Sequence, residues 1–186
     1  MWTWTPAFLA ACIAVGGMGE LRAAGMGSYI TAFFHFMGIL ASFSMGLLSD
    51  RWGRATVLLG VSAVSSLCSF LFGWTYSWPI IITVVLGTLY AFSCLGDSPV
   101  LSAALSEAAD PAYLGAAFGI RSLFGFSAGA AAPLVFGLIL DWTNPGVVGR
   151  LYVHWGWAFS SLGLMGLGAV AMAWVYRRIT VLGHRP

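Results

Sequence analysis

The sequence predicts an all-α, polytopic membrane protein with six transmembrane helices, and three observations carry that reading. Hydrophobic residues make up 60% of the chain and charged ones 8%, with a mean hydropathy of +0.90. Soluble domains run about 45–50% apolar and about 25% charged, so the main solvent here is lipid. Apolar runs of about 20 residues recur along the chain, the length a helix needs to cross the hydrocarbon core. These runs are apolar on all sides, as in "VLLGVSAVSSLCSFLFGW". A β-barrel would instead show segments of about ten residues alternating apolar and polar.

The spans follow in order. The first covers 3–19 and lacks the basic start of a signal peptide. Glu20 and Arg22 come after it and read as an interfacial pair. The second covers 27–48 and runs into the charged stretch "GLLSDRWGR". The third covers 55–74 and ends in the uncharged aromatic turn "GWTYSWP". Pro79 opens the fourth, 79–109, because a first helical position loses nothing by lacking an N–H. "EAADP" closes it. The fifth covers 112–140 and the sixth 155–176, before the basic tail "RRITVLGHRP".

Orientation follows from arginine placement, because basic residues favour the cytoplasmic side. Six spans put both termini on one side, together with Arg51, Arg54, Arg177, Arg178 and Arg185. Arg22 and Arg150 fall opposite, and Arg121 falls inside a span. Both termini and the "SDRWGR" turn are therefore expected in the cytoplasm, with the chain in a plasma or inner membrane. Trp74, Trp78, Trp142 and Trp155 gather at the outer ends, as interfacial anchors do.

There is an internal echo. The second span ends in "GLLSDRW" and the fifth in "GLILDWT". Spans two and five correspond if the chain is two three-helix repeats, about 1–75 and 76–178. They end on opposite sides, so the repeats are inverted, a recurring plan in secondary transporters.

Several residues stand out chemically. Gly125, Gly129, Pro133 and Gly137 recur every four residues on one face of the fifth span. Small residues at this spacing let helices approach closely, and Pro133 removes a backbone donor, favouring a bend. Intramembrane charges are costly and mark functional candidates. Counting from the span ends puts Asp97 and Arg121 both roughly 14–15 Å from the cytoplasmic end, which predicts an ion pair or shared polar site. His35 lies mid-span, where an imidazole can bind substrate or relay a proton. Cys12, Cys68 and Cys94 lie in apolar segments without metal-binding spacing and read as small buried hydrophobes. No nucleophile motif, paired-carboxylate site, phosphate loop, metal site or cofactor site is present in the sequence, so an enzyme is not expected. The net charge of +2 is too small to point to nucleic acid.

"GLLSDRWGRATVL" resembles the signature loop of the major facilitator superfamily, G-x-L-x-D-R-x-G-R-[RK]-x-x-L. Gly46, Leu48, Asp50, Arg51, Gly53, Arg54 and Leu58 match, and Ala55 departs from the usual basic residue. "SEAADPAYLGAAFG" resembles the family's link between fourth and fifth helices, with Leu114 in place of an Arg. "HWGWAFSSLGLMGLGAVAMAWVYRR" resembles a last helix, and the short tail favours a C-terminal half. The resemblance implies one six-helix half of a transporter that moves a small solute by alternating access. It implies a second half as partner, whether fused, separate or a second copy; Asp97 and His35 make a proton the most economical coupling ion. It also implies that Gly46, Asp50, Arg51, Gly53 and Arg54 form a conformational latch between halves. The alternative is a non-transporting scaffold or accessory subunit built on the same half-fold.

Overall fold

The computed structural model describes residues 2–146 and 152–183. Arg150 and Arg185, used above for orientation, lie outside them. Six α-helices make up the bundle: α1 (Thr5–Val15), α2 (Glu20–Trp52), α3 (Arg54–Phe72), α4 (Ile80–Ala108), α5 (Leu114–Thr143) and α6 (Gly156–Gly183). Short 3-10 turns, Gly73–Ser77 and Pro111–Tyr113, precede α4 and α5. Helices α2 to α6 are long and apolar enough to cross a membrane.

α1 corrects the first expected span. Its 11 residues rise about 16 Å, roughly half the hydrocarbon thickness. Gly17, at φ 91°, follows it and breaks the helical path. Glu20 and Arg22 then belong to the first turn of α2 rather than to the end of the first span. Two residues apart on a helix, they point in different directions, and no ion pair joins them among the described residues.

The alternating helices define two ends. The Arg-rich end holds the α2–α3 and α4–α5 connections; the Trp-rich end holds the α1–α2, α3–α4 and α5–α6 connections. α3 is the central support, packing along α4 and α6, while α2 packs along α1 and α4. Gly27 shows why α2 and α1 fit so closely. A Cβ there would lie 2.8 Å from the Pro6 carbonyl oxygen and 2.9 Å from the Ala10 nitrogen. Neither backbone atom can move aside, so only hydrogen fits.

The core is aromatic and concentrated at the Trp-rich end. Phe8, Phe72, Phe136, Trp155 and Phe159 are all buried and meet edge-to-face or tilted, with ring centroids 4.9–6.5 Å apart. Those geometries favour ring edges over ring faces. Trp155 is 1% exposed, so it is a core residue and not the interfacial anchor expected. Trp74, Trp78 and Trp142 are exposed as anchors are.

Hydroxyl groups serve the interior helix contacts. Ser66 and Ser69 of α3 donate to the carbonyls of Gly163 and Phe159 on α6, at 2.9 and 3.0 Å. Pro99, inside α4, carries no N–H, so the Leu95 carbonyl four residues earlier loses its helical partner. The Ser42 hydroxyl of α2 donates to that carbonyl at 3.2 Å.

Candidate functional site

The Arg-rich end is organised by one side chain. α2 and α3 are joined by Gly53 alone, at φ 84° and ψ 141°, a conformation closed to ordinary L residues. This reversal brings Arg54, the first residue of α3, back over the last turn of α2. Its Nη2 lies 2.6 Å from Asp50 Oδ1 and 3.0 Å from Glu107 Oε1 on α4. Its Nε donates to the same Glu107 oxygen at 3.1 Å. Nη1 donates to Ser49 Oγ and, at 3.5 Å, to the Gly46 carbonyl. One guanidinium thus ties α2, α3 and α4 together.

The exposures differ sharply. The Arg54 side chain is 19% exposed, while Asp50 and Glu107 are 55% and 58% exposed. The cation is sheltered and the two anions are wet, an arrangement that holds at modest strength and exchanges partners easily. The clasp borders a cleft of about 640 Å³, whose far wall is Tyr176 and Arg177 of α6.

The other expected loop residues divide. Gly46 offers its carbonyl to Arg54, but nothing lies within 4 Å of where its Cβ would be, so close approach is not its reason. Arg51 is exposed. Glu107 was not expected in the site at all. The signal for it was present: an acidic residue closing the fourth span, at the end where Arg54 opens the third.

A Major Facilitator Superfamily model matches residues 2–185. The chain belongs to that superfamily. Its bundle is the fold of one six-helix half, and the superfamily's members are transporters rather than enzymes. No curated protein and no solved structure matched the chain.

Asp97 and Arg121, expected as an ion pair or shared polar site, make no direct contact, although the Arg121 charge still acts on Asp97. No contact within 4 Å joins them among the described residues. Arg121 donates instead to Ser102 Oγ at 2.7 Å, and more weakly to the Ser98 carbonyl and hydroxyl, both at 3.4 Å. Depth from the helix end was a sound guide, but rotation was not. Ser98 follows Asp97 by about 100° around the helix, so the face that meets α5 turns Asp97 toward α3 and α6.

His35 is on an exposed face of α2, with the Trp2 ring centroid 4.6 Å from its own. Its Nδ1 lies 2.8 Å from the Thr31 carbonyl oxygen. A carbonyl only accepts, so Nδ1 is the donor in this contact. Thr31 engages Nδ1 and not Nε2.

The small-residue stripe of α5 is satisfied over half its length. Trp4 of the short α1 turn reaches the outer half: its Nε1 donates to the Pro133 carbonyl at 3.1 Å, and its ring is 3.1 Å from the Cβ position of Gly137. Gly125 and Gly129 meet nothing within 4 Å. Only Phe136 and Leu140 of α5 are buried, and the helix runs through Pro133 without a break.

The Trp-rich end holds a second polar centre. Asn144 is 5% exposed. Its Nδ2 donates to the carbonyls of Leu140 and His154, at 2.9 and 3.1 Å, and to Thr143 Oγ1 at 3.3 Å. Its Oδ1 accepts from the backbone nitrogens of Val153 and His154, at 3.0 and 2.9 Å. Asp141 accepts from the Tyr152 hydroxyl at 2.6 Å. That hydrogen bond, then burial, then the Asp141 charge hold the Tyr152 hydroxyl above the usual tyrosine value. No group of three or more metal-ligating side chains occurs among the described residues.

Proposed function

We propose that this chain is a working half of a secondary transporter that moves a small solute by alternating access, coupled to protons. The observation that carries the reading is the Arg54 clasp, a sheltered cation between two wet carboxylates on neighbouring helices. A transport cycle needs a contact that forms and breaks at a cost of a few kcal/mol, and exposed ion pairs of this kind fall below that ceiling. The uncovered inner face of α5, with Gly125 and Gly129, supports a second half as partner, whether fused, separate or a second copy.

Two inverted three-helix repeats fit this reading. α3 and α6, the third helix of each repeat, pack on one another, and Asp50 and Asp141 occupy equivalent last turns of α2 and α5. The Arg-rich end is the cytoplasmic one in this reading, with the end of α6 in the cytoplasm and the chain in an inner or plasma membrane. The half-length α1 does not carry the N-terminal side across, so the expectation of two cytoplasmic termini is kept for the C-terminal side alone. His35 serves as the proton-accepting group, and Arg121 holds α5 to α4 near the solute path.

The test is proton flux in vesicles carrying the product of the complete gene, under an imposed pH gradient and against a panel of solutes. Solute-dependent flux is expected, and Asp50→Asn should slow it at equal expression while leaving membrane insertion intact. Unchanged flux in Asp50→Asn would remove the clasp from the cycle. Absence of flux with every solute, together with stable co-purification of another membrane protein, would favour the scaffold reading instead.

A further inference from the structure

Asp97 is a carboxylate inside a membrane-spanning helix, about 16 Å from the end of α4 by helical rise. A charged group at such depth is expensive unless something compensates it. Arg121, the nearest expected counter-charge, spends its hydrogen bonds on Ser98 and Ser102 on another face of α4 and acts on Asp97 only through space, without contact. Within 4 Å no cation pairs with Asp97 among the described residues.

What Asp97 does border is a chamber of about 390 Å³ between α3, α4 and α6. Leu58, Leu101 and Met172 supply apolar wall, and Ser62 and Tyr176 add hydroxyl-bearing side chains to the lining, Tyr176 toward the Arg-rich end. α4 and α6 both pack on α3 rather than along each other, so α3 forms the floor and the mouth lies between the other two. Leu101 and Met172 are 41% and 73% exposed there. The volume is within the range of small-molecule sites, which are largely apolar with a few placed polar groups.

We propose that this chamber is a binding site for a lipophilic monocation, an amine or onium with apolar substituents. The carboxylate supplies the single opposite charge in a low-dielectric setting, where charge attraction is strongest. The leucine and methionine wall takes the apolar substituents, and the Tyr176 ring adds an aromatic surface that favours a cation. The mouth between α4 and α6 admits a molecule already dissolved in the inner half of the bilayer. Tyr176 also forms part of the far wall of the Arg54 cleft, so occupancy of the chamber touches the residue that borders the clasp. The site stands independently of transport: binding reads the chamber, and vesicle flux reads the transport cycle.

The experiment is equilibrium dialysis of the full chain in detergent micelles, with labelled tetraphenylphosphonium and its near-isosteric anion tetraphenylborate. Saturable binding of the cation is expected, with the anion binding at least roughly tenfold more weakly, a gap of about 1.4 kcal/mol. Asp97→Asn should weaken the cation by a similar factor, and Asp97→Glu should largely retain it. Ala169→Trp, which fills the chamber from α6, should abolish saturable binding. Equal binding of cation and anion by the wild-type chain would overturn the proposal, and needs no variant to fold. Full cation affinity in a folded Asp97→Asn chain would overturn it as well.

Discussion

The two ends of the bundle solve the same problem with opposite chemistry. The echoed stretches close α2 and α5, and each carries an aspartate two residues before the helix terminus. At the Arg-rich end Asp50 meets Arg54, four residues on, and a bare glycine makes the turn. At the Trp-rich end Asp141 meets Tyr152, eleven residues on, while a buried Asn144 holds the returning chain by its backbone. The first is a charged contact between exposed carboxylates and one guanidinium. The second is a network of amide and backbone hydrogen bonds around one buried side chain, Asn144, with the Asp141–Tyr152 bond exposed beside it. Ion pairs near water contribute little net stability, whereas a buried amide that loses its partners exposes several dry polar groups at once. The bundle is thus fixed at one end and adjustable at the other.

Breaking the fixed end should give the largest effect. Asn144→Ala removes the partner of four backbone groups around a buried side chain, and should cost about 3 kcal/mol. Thermal unfolding in detergent will show it as a clear drop in midpoint, and a drop no larger than that of a surface substitution would deny the lock. Gly53→Ala comes next. Forcing a side chain into that backbone conformation costs about 1–3 kcal/mol, visible as a lower midpoint or as separation of Arg54 from Asp50 in a crosslinking assay.

Arg54→Ala sharpens the comparison rather than breaking the fold. Stability should change by about 1 kcal/mol or less, while solute-driven flux falls severalfold; a large loss of thermal stability would make the clasp a structural staple. The smallest effect belongs to Tyr152→Phe, which removes one exposed hydrogen bond and should cost less than about 1 kcal/mol. The Tyr152 hydroxyl is held above its ordinary value, near 10.0. Its small contribution is therefore complete below that pH and lost as pH rises past the folded value. A wild-type-minus-variant stability difference that is flat through pH 11 would contradict this.

Sequence reasoning was strongest where one-dimensional spacing controls structure. Membrane solvent, helix alternation and the Gly53–Arg54 turn all depend on local composition or neighbouring residues. It was weakest where rotation or distance in sequence decides. Asp97 and Arg121 have comparable depth, yet a one-residue step around α4 separates the face that meets α5 from the face that meets α3. Glu107 completes the clasp from 53 residues away, and only the rule that both lie at one membrane end connects them. Asn144 looks like an ordinary turn residue in "DWTNPG"; its importance comes from burial, which the aromatic core above it creates. The α5 glycines were legible as a packing stripe, but not that its outer half fits a tryptophan and its inner half is bare.

Pro99 leaves the Leu95 carbonyl without its helical donor, and Ser42 of α2 fills the gap. The rest of α4 is held by its own backbone ladder, which resists bending at every rung. At this one rung the ladder is replaced by a side-chain hydroxyl from another helix. Rotation of Ser42 about a single bond would leave the carbonyl unclaimed and α4 locally soft. The position of that hydroxyl thus makes α2 the keeper of α4's stiffness, so any displacement that begins at the α2–α3 turn has a direct mechanical route into the helix that carries Asp97.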